Sequence, residues 1–268
     1  MGKTGIENKR MSVYNKTGMK MPVFCLRVLP HIQLPERKDF SMIRACIFDM
    51  DGTVADTLAS IAGFANGALR QCGYPEIEVP AYRTLVGNGA DTLMRRMLKT
   101  VAGEFTEEEV ARLRQVYDRA YEADPMHLVT EYPGMGAVLR TLKEQGVRIA
   151  VFSNKPDDMT CKVAALLYPG LFDAVRGQRP ETPLKPAPDG ALLLAEQLGV
   201  KPEECLYIGD TWVDMQTGKN AGMETVGVLW GFRDREELEN AGACHVIAAP
   251  EELLLLAGVH AGFDVWQE

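Results

Sequence analysis

Apolar positions along this chain fall into two patterns, short continuous runs and segments in which they recur every three to four residues. Ile43 to Phe48 is the first continuous run, of a length that suits a buried strand. Leu58 to Gln71 then has helical periodicity, with Gly73 as a stop signal. Helical patterning persists to about residue 130, most clearly over Asp91 to Val101 and Thr106 to Ala123. The second of these opens on Thr106-Glu107-Glu108-Glu109, residues suited to a helix N-terminus. No strand pattern stands out in this stretch. From there the two patterns alternate. Helices are predicted over Gly134 to Gln145, Asp157 to Leu167, Ala187 to Leu198, Trp212 to Ala221 and Arg235 to Ala241. Strands are predicted at Val147 to Phe152, Phe172 to Arg176, Cys205 to Ile208 and Thr225 to Leu229. A last short pair lies near Val246 and Glu251 to Ala257. Such alternation predicts an α/β fold with a parallel sheet and helices on both faces. Residues 42–56 and 131–268 would form this core, with residues 57–130 as a helical insertion after the first strand.

Residues 1–41 follow neither pattern. They are basic, broken by Pro22, Pro30 and Pro35, and form a poor secretory signal. They read as a poorly ordered N-terminal extension: a leader or partner-binding arm, or the product of a start codon upstream of a functional start at Met42. They carry eight Lys/Arg against three Asp/Glu, so the overall charge of −8 leaves −13 on the remainder. An acidic body argues against nonspecific nucleic-acid binding, which depends on neutralising phosphates. Any anionic substrate must then meet local cations or a metal. The six cysteines are scattered without a Cys-x-x-Cys pair, and the four histidines are dispersed, which disfavours zinc. Cys46 and Cys205 sit in strand-like runs as expected buried thiols. Together with the lack of any apolar run near the ~20 residues of a membrane span, this points to a reducing cytoplasm.

Chemistry concentrates at strand ends, where open parallel sheets bind their ligands. Asp49-Met50-Asp51-Gly52-Thr53 follows the first strand. Two carboxylates two positions apart start on one side of a strand, and Gly52 permits a sharp turn. One carboxylate can attack an electrophile while the other moves a proton. Ser153-Asn154-Lys155-Pro156 ends a second strand, either as a phosphate contact or as an ordinary helix start. Lys185, within Pro183-Leu184-Lys185-Pro186-Ala187-Pro188, is either a charge-neutralising group or an exposed loop lysine. Gly209-Asp210-Thr211-Trp212-Val213-Asp214 ends a further strand with two more carboxylates. Asp210 could be a simple N-cap, but a second acidic strand end beside the first is costly without a cation. Hard oxygen ligands favour magnesium.

These four motifs, in this order and spacing, resemble the haloacid dehalogenase superfamily of phosphotransferases over nearly all of residues 42–257. The resemblance implies a Rossmann-like core with a helical cap at 57–130, and hinges near Asp56-Thr57 and Thr130-Glu131. By the same resemblance Asp49 is the nucleophile, Asp51 the general acid and then base, and Lys185 the phosphoryl-binding cation. Ser153, Asn154, Gly52 and Thr53 would contact substrate, with Asn154 positioning rather than reacting. Mg²⁺ would be held by Asp49, the backbone carbonyl of Asp51, Asp210 and Asp214, the last through water. Val86-Gly87-Asn88-Gly89-Ala90-Asp91, Tyr132-Pro133-Gly134, Asn154-Lys155-Pro156 and Lys219-Asn220-Ala221-Gly222-Met223 are similar to the phosphoglycolate phosphatase group.

The expected activity is therefore magnesium-dependent hydrolysis of a small phosphomonoester, 2-phosphoglycolate first. Pyrophosphate, sugar phosphates, nucleotides and a β-phosphoglucomutase reaction are the alternatives within the superfamily. A noncatalytic binding module on the same scaffold is the alternative of another class. The expected partners are a small-molecule substrate and at most a second copy of the chain, as monomer or homodimer, with no nucleic acid and no membrane.

Overall fold

The computed structural model describes residues 42–259, so the expectations for residues 1–41 and 260–268 lie outside the described residues. Its first strand, β1 (Ala45–Phe48), is buried at every position. A strand buried on both faces needs cover on both sides, and its side chains alternate to meet it. Cys46 and Phe48 enter one apolar cluster, while Ala45 and Ile47 enter another.

After β1 the chain forms a two-residue strand, β2 (Ala55–Asp56), and then a run of helices. These are α1 (Leu58–Cys72), α2 (Tyr82–Leu85), α3 (Ala90–Val101) and α4 (Glu107–Ala123). Thr106 caps α4 through a capping box with Glu109, as its sequence suggests. A second two-residue strand, β3 (Thr130–Glu131), returns to pair antiparallel with β2. This ribbon falls at the two expected hinges and is illegible in sequence. Two residues per strand are too few to show a period of two.

The alternating units follow as α5 (Met135–Glu144), β4 (Arg148–Pro156), α6 (Asp157–Leu167), β5 (Ala174–Gln178) and α7 (Asp189–Leu198). Then come β6 (Cys205–Gly209), α8 (Trp212–Asn220), β7 (Glu224–Val228), α9 (Arg235–Asn240), β8 (His245–Ile247) and α10 (Glu252–Leu256). Most ends agree with the periodicity to within two residues. The larger difference is at β4, which runs on through Ser153 to Pro156 with an irregular register against β5.

Six strands form one parallel sheet in the order β5-β4-β1-β6-β7-β8. One face is covered by residues of α5, α6 and α10, including Leu139, Val163 and Leu253. The other is covered by Ala191, Leu194 and Ala195 of α7 and by Ala221 and Met223 beyond α8. β1 lies between β4 and β6, with Phe48 level with both Val151 and Ile208. The strand order reverses direction there, which opens a crevice beyond the carboxyl ends of the three strands. Helices α1 to α4 bury a separate apolar cluster, including Leu69, Met97 and Leu113. Met159 and Phe232, from outside those helices, also enter it.

Candidate active site

β1 and β6 end at nearly one level and β4 runs on beside them, and this brings the sequence motifs together. Asp49 follows β1, Asp210 follows β6, and Asp214 lies in the first turn of α8. All three carboxylates are buried, and one oxygen from each falls within 4.8 Å of the others. Asp210 accepts hydrogen bonds from the Phe232 amide at 2.7 Å and the Thr53 hydroxyl at 3.4 Å. Asp214 accepts from the Thr211 amide and hydroxyl in a capping box, at 3.1 and 2.7 Å.

Lys185 enters this group from the loop before α7. Its Nζ stands 2.8 Å from Asp49 and 2.7 Å from Asp214, with the lysine itself 4% exposed. The exposed-loop alternative is thereby excluded. Asn154 holds the lysine's backbone from both sides. The Lys185 amide donates to Asn154 Oδ1 at 2.8 Å, and Asn154 Nδ2 donates back to the Lys185 carbonyl at 3.3 Å. A direct ion pair to Lys185 is the contact Asp214 makes, in addition to any it would make through water.

One buried cation among three carboxylates leaves the site short of positive charge. Burial raises Asp49 to about 7 despite the attraction of Lys185, and burial with the charge of Asp214 raises Asp210 well above the usual carboxylate range. The charged forms of Asp49 and Asp210 therefore need a further cation. An all-oxygen donor set of this kind suits a hard divalent ion such as Mg²⁺.

Gly52 lets the loop after β1 come close to Asp210 at the end of β6. It sits at φ +85°, and a Cβ there would lie 2.2 Å from Asp210 Oδ2. Gly52→Ala is expected to cost about 1–3 kcal/mol from overpacking, more with the positive φ. It should also weaken any stabilisation by Mg²⁺, because Asp210 must move. Urea unfolding with and without Mg²⁺ checks this; unchanged curves would refute the close approach.

Asp51 is turned away from the triad. Its carboxylate receives Lys155 Nζ at 2.6 and 2.8 Å, so a metal role through its backbone carbonyl is the one left to it. Ser153 is buried at the end of β4, its hydroxyl accepting from the Lys155 amide at 3.3 Å. Thr53 is fully buried, and its carbonyl accepts from Trp230 Nε1 at 2.9 Å. Asp49, Asp51, Ser153, Asn154 and Lys185 all line one cavity of about 220 Å³, whereas Gly52, Thr53, Asp210 and Asp214 do not line it. That volume is small beside the ~300–1,000 Å³ of drug-sized sites, which suits a small ligand.

Lys155, Tyr117 and Tyr121, to which the sequence gives no role, line the same cavity. Lys155 follows Ser153 and Asn154, but its pairing with Asp51 spans 104 positions and appears only on folding. The tyrosines carry no local signal, because their positions in α4 fit the apolar helical stripe.

Residues 43–222 match the family model described as a haloacid dehalogenase-like hydrolase. A phosphoglycolate phosphatase of Aquifex aeolicus is 31% identical over 219 residues, 81% of this chain and 98% of that protein. A phosphoglycolate phosphatase of Escherichia coli K12 is 30% identical over 75% of this chain and 86% of its own length. Among solved structures, a protein from Lactobacillus delbrueckii subsp. bulgaricus superposes with a TM-score of 0.78 at 31% identity, covering 81% of this chain and 99% of that one. A predicted phosphoglycolate phosphatase from Haemophilus somnus 129pt gives a TM-score of 0.75 at 25% identity, covering 81% and 98%. The order of the strands, the four motifs at their ends and these likenesses agree, and the chain belongs to the haloacid dehalogenase-like hydrolase family.

Proposed function

We propose that this protein is a magnesium-dependent phosphatase acting on a small phosphomonoester, with 2-phosphoglycolate as its substrate. The observation that carries the reading is the placement of Asp49: buried, bonded to Lys185, beside two further carboxylates, and open to a small cavity that also holds Asp51. The curated relatives named as phosphoglycolate phosphatases support the choice of substrate.

The chemistry follows from these positions. An Asp49 oxygen attacks phosphorus in line, and the bond to the leaving oxygen breaks. Asp51 gives a proton to that oxygen, so the product leaves as an alcohol. An aspartyl-phosphate remains. Asp51 then takes a proton from a water that attacks the same phosphorus, releasing inorganic phosphate and restoring Asp49. Lys185 and Ser153 bind the phosphoryl oxygens, and Asn154 keeps Lys185 in register. Asp49, Asp210, Asp214 and the Asp51 carbonyl would hold Mg²⁺, which supplies the positive charge that lets an anionic carboxylate approach an anionic phosphate.

In this reading residues 57–130 are a cap that excludes water during the first step and admits it for the second, turning on the β2–β3 ribbon. Contacts across its lower edge fit a closed arrangement. Arg83 donates to the Gly231 carbonyl at 2.8 Å, and Arg233 donates to the Val86 carbonyl at 3.0 Å. Free thiols at Cys46, Cys72, Cys161, Cys205 and Cys244 fit a reducing cytoplasm. Among the described residues, no helix is long and apolar enough to cross a membrane.

The test is phosphate release with and without Mg²⁺ from 2-phosphoglycolate, pyrophosphate, hexose phosphates and nucleoside monophosphates. Turnover should require Mg²⁺, and kcat/KM for 2-phosphoglycolate should exceed the others by at least about tenfold. A flat profile would remove the glycolate assignment and keep the phosphatase. No release from any ester would refute both.

A further inference from the structure

Tyr121 of α4 is buried, 4% exposed, and its hydroxyl donates to no acceptor; the Lys155 ammonium beside it can only donate. Buried hydroxyls are rarely left without a partner, and one on a residue that lines a cavity points to a ligand that supplies it. Its ring cannot readily turn away. Phe64 meets it edge-on at 5.2 Å, and Tyr117 stacks on it at 5.8 Å. Burial holds its pKa above the ordinary tyrosine value against the pull of Lys155, so at neutral pH the hydroxyl keeps its proton and is a donor.

Lys155 lies beside it, Nζ 5.0 Å from the Tyr121 ring centroid, and is itself 9% exposed. An ammonium has three N–H donors. Two are directed at the Asp51 oxygens, at 2.6 and 2.8 Å, and the third is shared with the Tyr121 side of the cavity. The other cation on the α4 side of the cavity is Arg114, which is bonded to Asp91 and Asp118. Lys185, on the opposite side, is taken by Asp49 and Asp214.

We infer that Tyr121 and Lys155 together read a carboxylate on the leaving group, one oxygen accepting from the tyrosine hydroxyl and the ammonium supplying the charge. The substrate class is a short phosphorylated hydroxy acid whose carboxylate lies within one or two carbons of the ester oxygen, because Lys155 also touches the acid that protonates that oxygen. The assignment rests on the phosphomonoesterase reading of the same site.

Tyr121→Phe removes the donor and keeps the ring, so it separates recognition from packing. Steady-state kinetics of the full-length protein with Mg²⁺ would compare 2-phosphoglycolate, ethyl phosphate and pyrophosphate. Losing a hydrogen bond to a charged group corresponds to roughly 10–100-fold in kcat/KM. The expected result is such a loss on 2-phosphoglycolate, mainly in KM, exceeding the loss on ethyl phosphate by at least about tenfold. Binding of phosphonoacetate against methylphosphonate should show the same loss of preference without turnover. Equal losses on both esters, a loss confined to pyrophosphate, or no loss on any would overturn the assignment. If the wild-type protein hydrolyses ethyl phosphate but does not prefer the carboxylate ester, the assignment fails and the phosphatase stands. If it hydrolyses none of the three, this assignment fails; if it hydrolyses no hexose phosphate or nucleoside monophosphate either, the phosphatase reading fails with it.

Discussion

Asp49→Asn is expected to lower phosphate release by roughly 10⁴-fold or more while leaving the fold intact. An amide nitrogen and a neutral carbonyl cannot attack phosphorus as a carboxylate does, and no neighbouring group can replace Asp49. The carboxylates of Asp210 and Asp214 are held by Phe232, Thr53 and Thr211, and Asp51 by Lys155. Stability should move the other way. Asp49 has a pKa raised by burial from 3.8 to about 7, so the metal-free folded state favours its protonated form. A raised folded-state pKa contributes stability that is present below 3.8 and is lost as pH rises through about 7. In a chelator, wild-type Tm should therefore fall as pH is raised from 5 to 8, and the fall should be shallower in Asp49→Asn. Phosphate release and a pair of melting profiles measure both halves. Retained turnover would remove Asp49 as nucleophile; parallel pH profiles would contradict the crowded-carboxylate account.

Lys185→Met should damage both stability and activity. The lysine side chain is 2% exposed and bridges Asp49 and Asp214, so its loss leaves buried carboxylates facing one another without their cation. Breaking a buried pair by removing one partner costs about 3–5 kcal/mol. Methionine keeps most of the stem's packing beside the Phe152 ring, so the loss reports charge rather than a cavity. Mg²⁺ should recover part of the stability, because a divalent ion at the triad supplies the missing charge. It should recover little activity, because the phosphoryl oxygens still lack Lys185. Urea unfolding with and without Mg²⁺ would show the first, and kcat for 2-phosphoglycolate the second. A variant as stable as wild type in chelator would mean that the ion pairs contribute nothing net.

Much of this protein is legible along the chain. The alternation of apolar runs and helical stripes gives the parallel sheet with helices on both faces, because each element carries its own period whatever it later packs against. Asp49, Asp51, Ser153, Asp210 and Asp214 are legible as candidates because they stand in short motifs at or near strand ends, and Lys185 because prolines flank it in a loop.

What the tertiary structure alone decided is which of these groups touch. Asp51 could have faced the carboxylate triad or a cation, and it faces Lys155, a pairing that no local pattern signals. Lys185 could have been a solvated loop residue; Asn154 instead binds its backbone, and its ammonium is buried between two carboxylates. Tyr121 sits in a helical stripe where any apolar residue would satisfy the pattern, yet it lines a cavity whose other walls come from strand ends far along the chain. Period and propensity act over a few residues, so they set the elements and place chemistry at their ends. Pairing of charges across a hundred positions depends on which strand ends lie side by side, and that is settled when the sheet orders itself around β1.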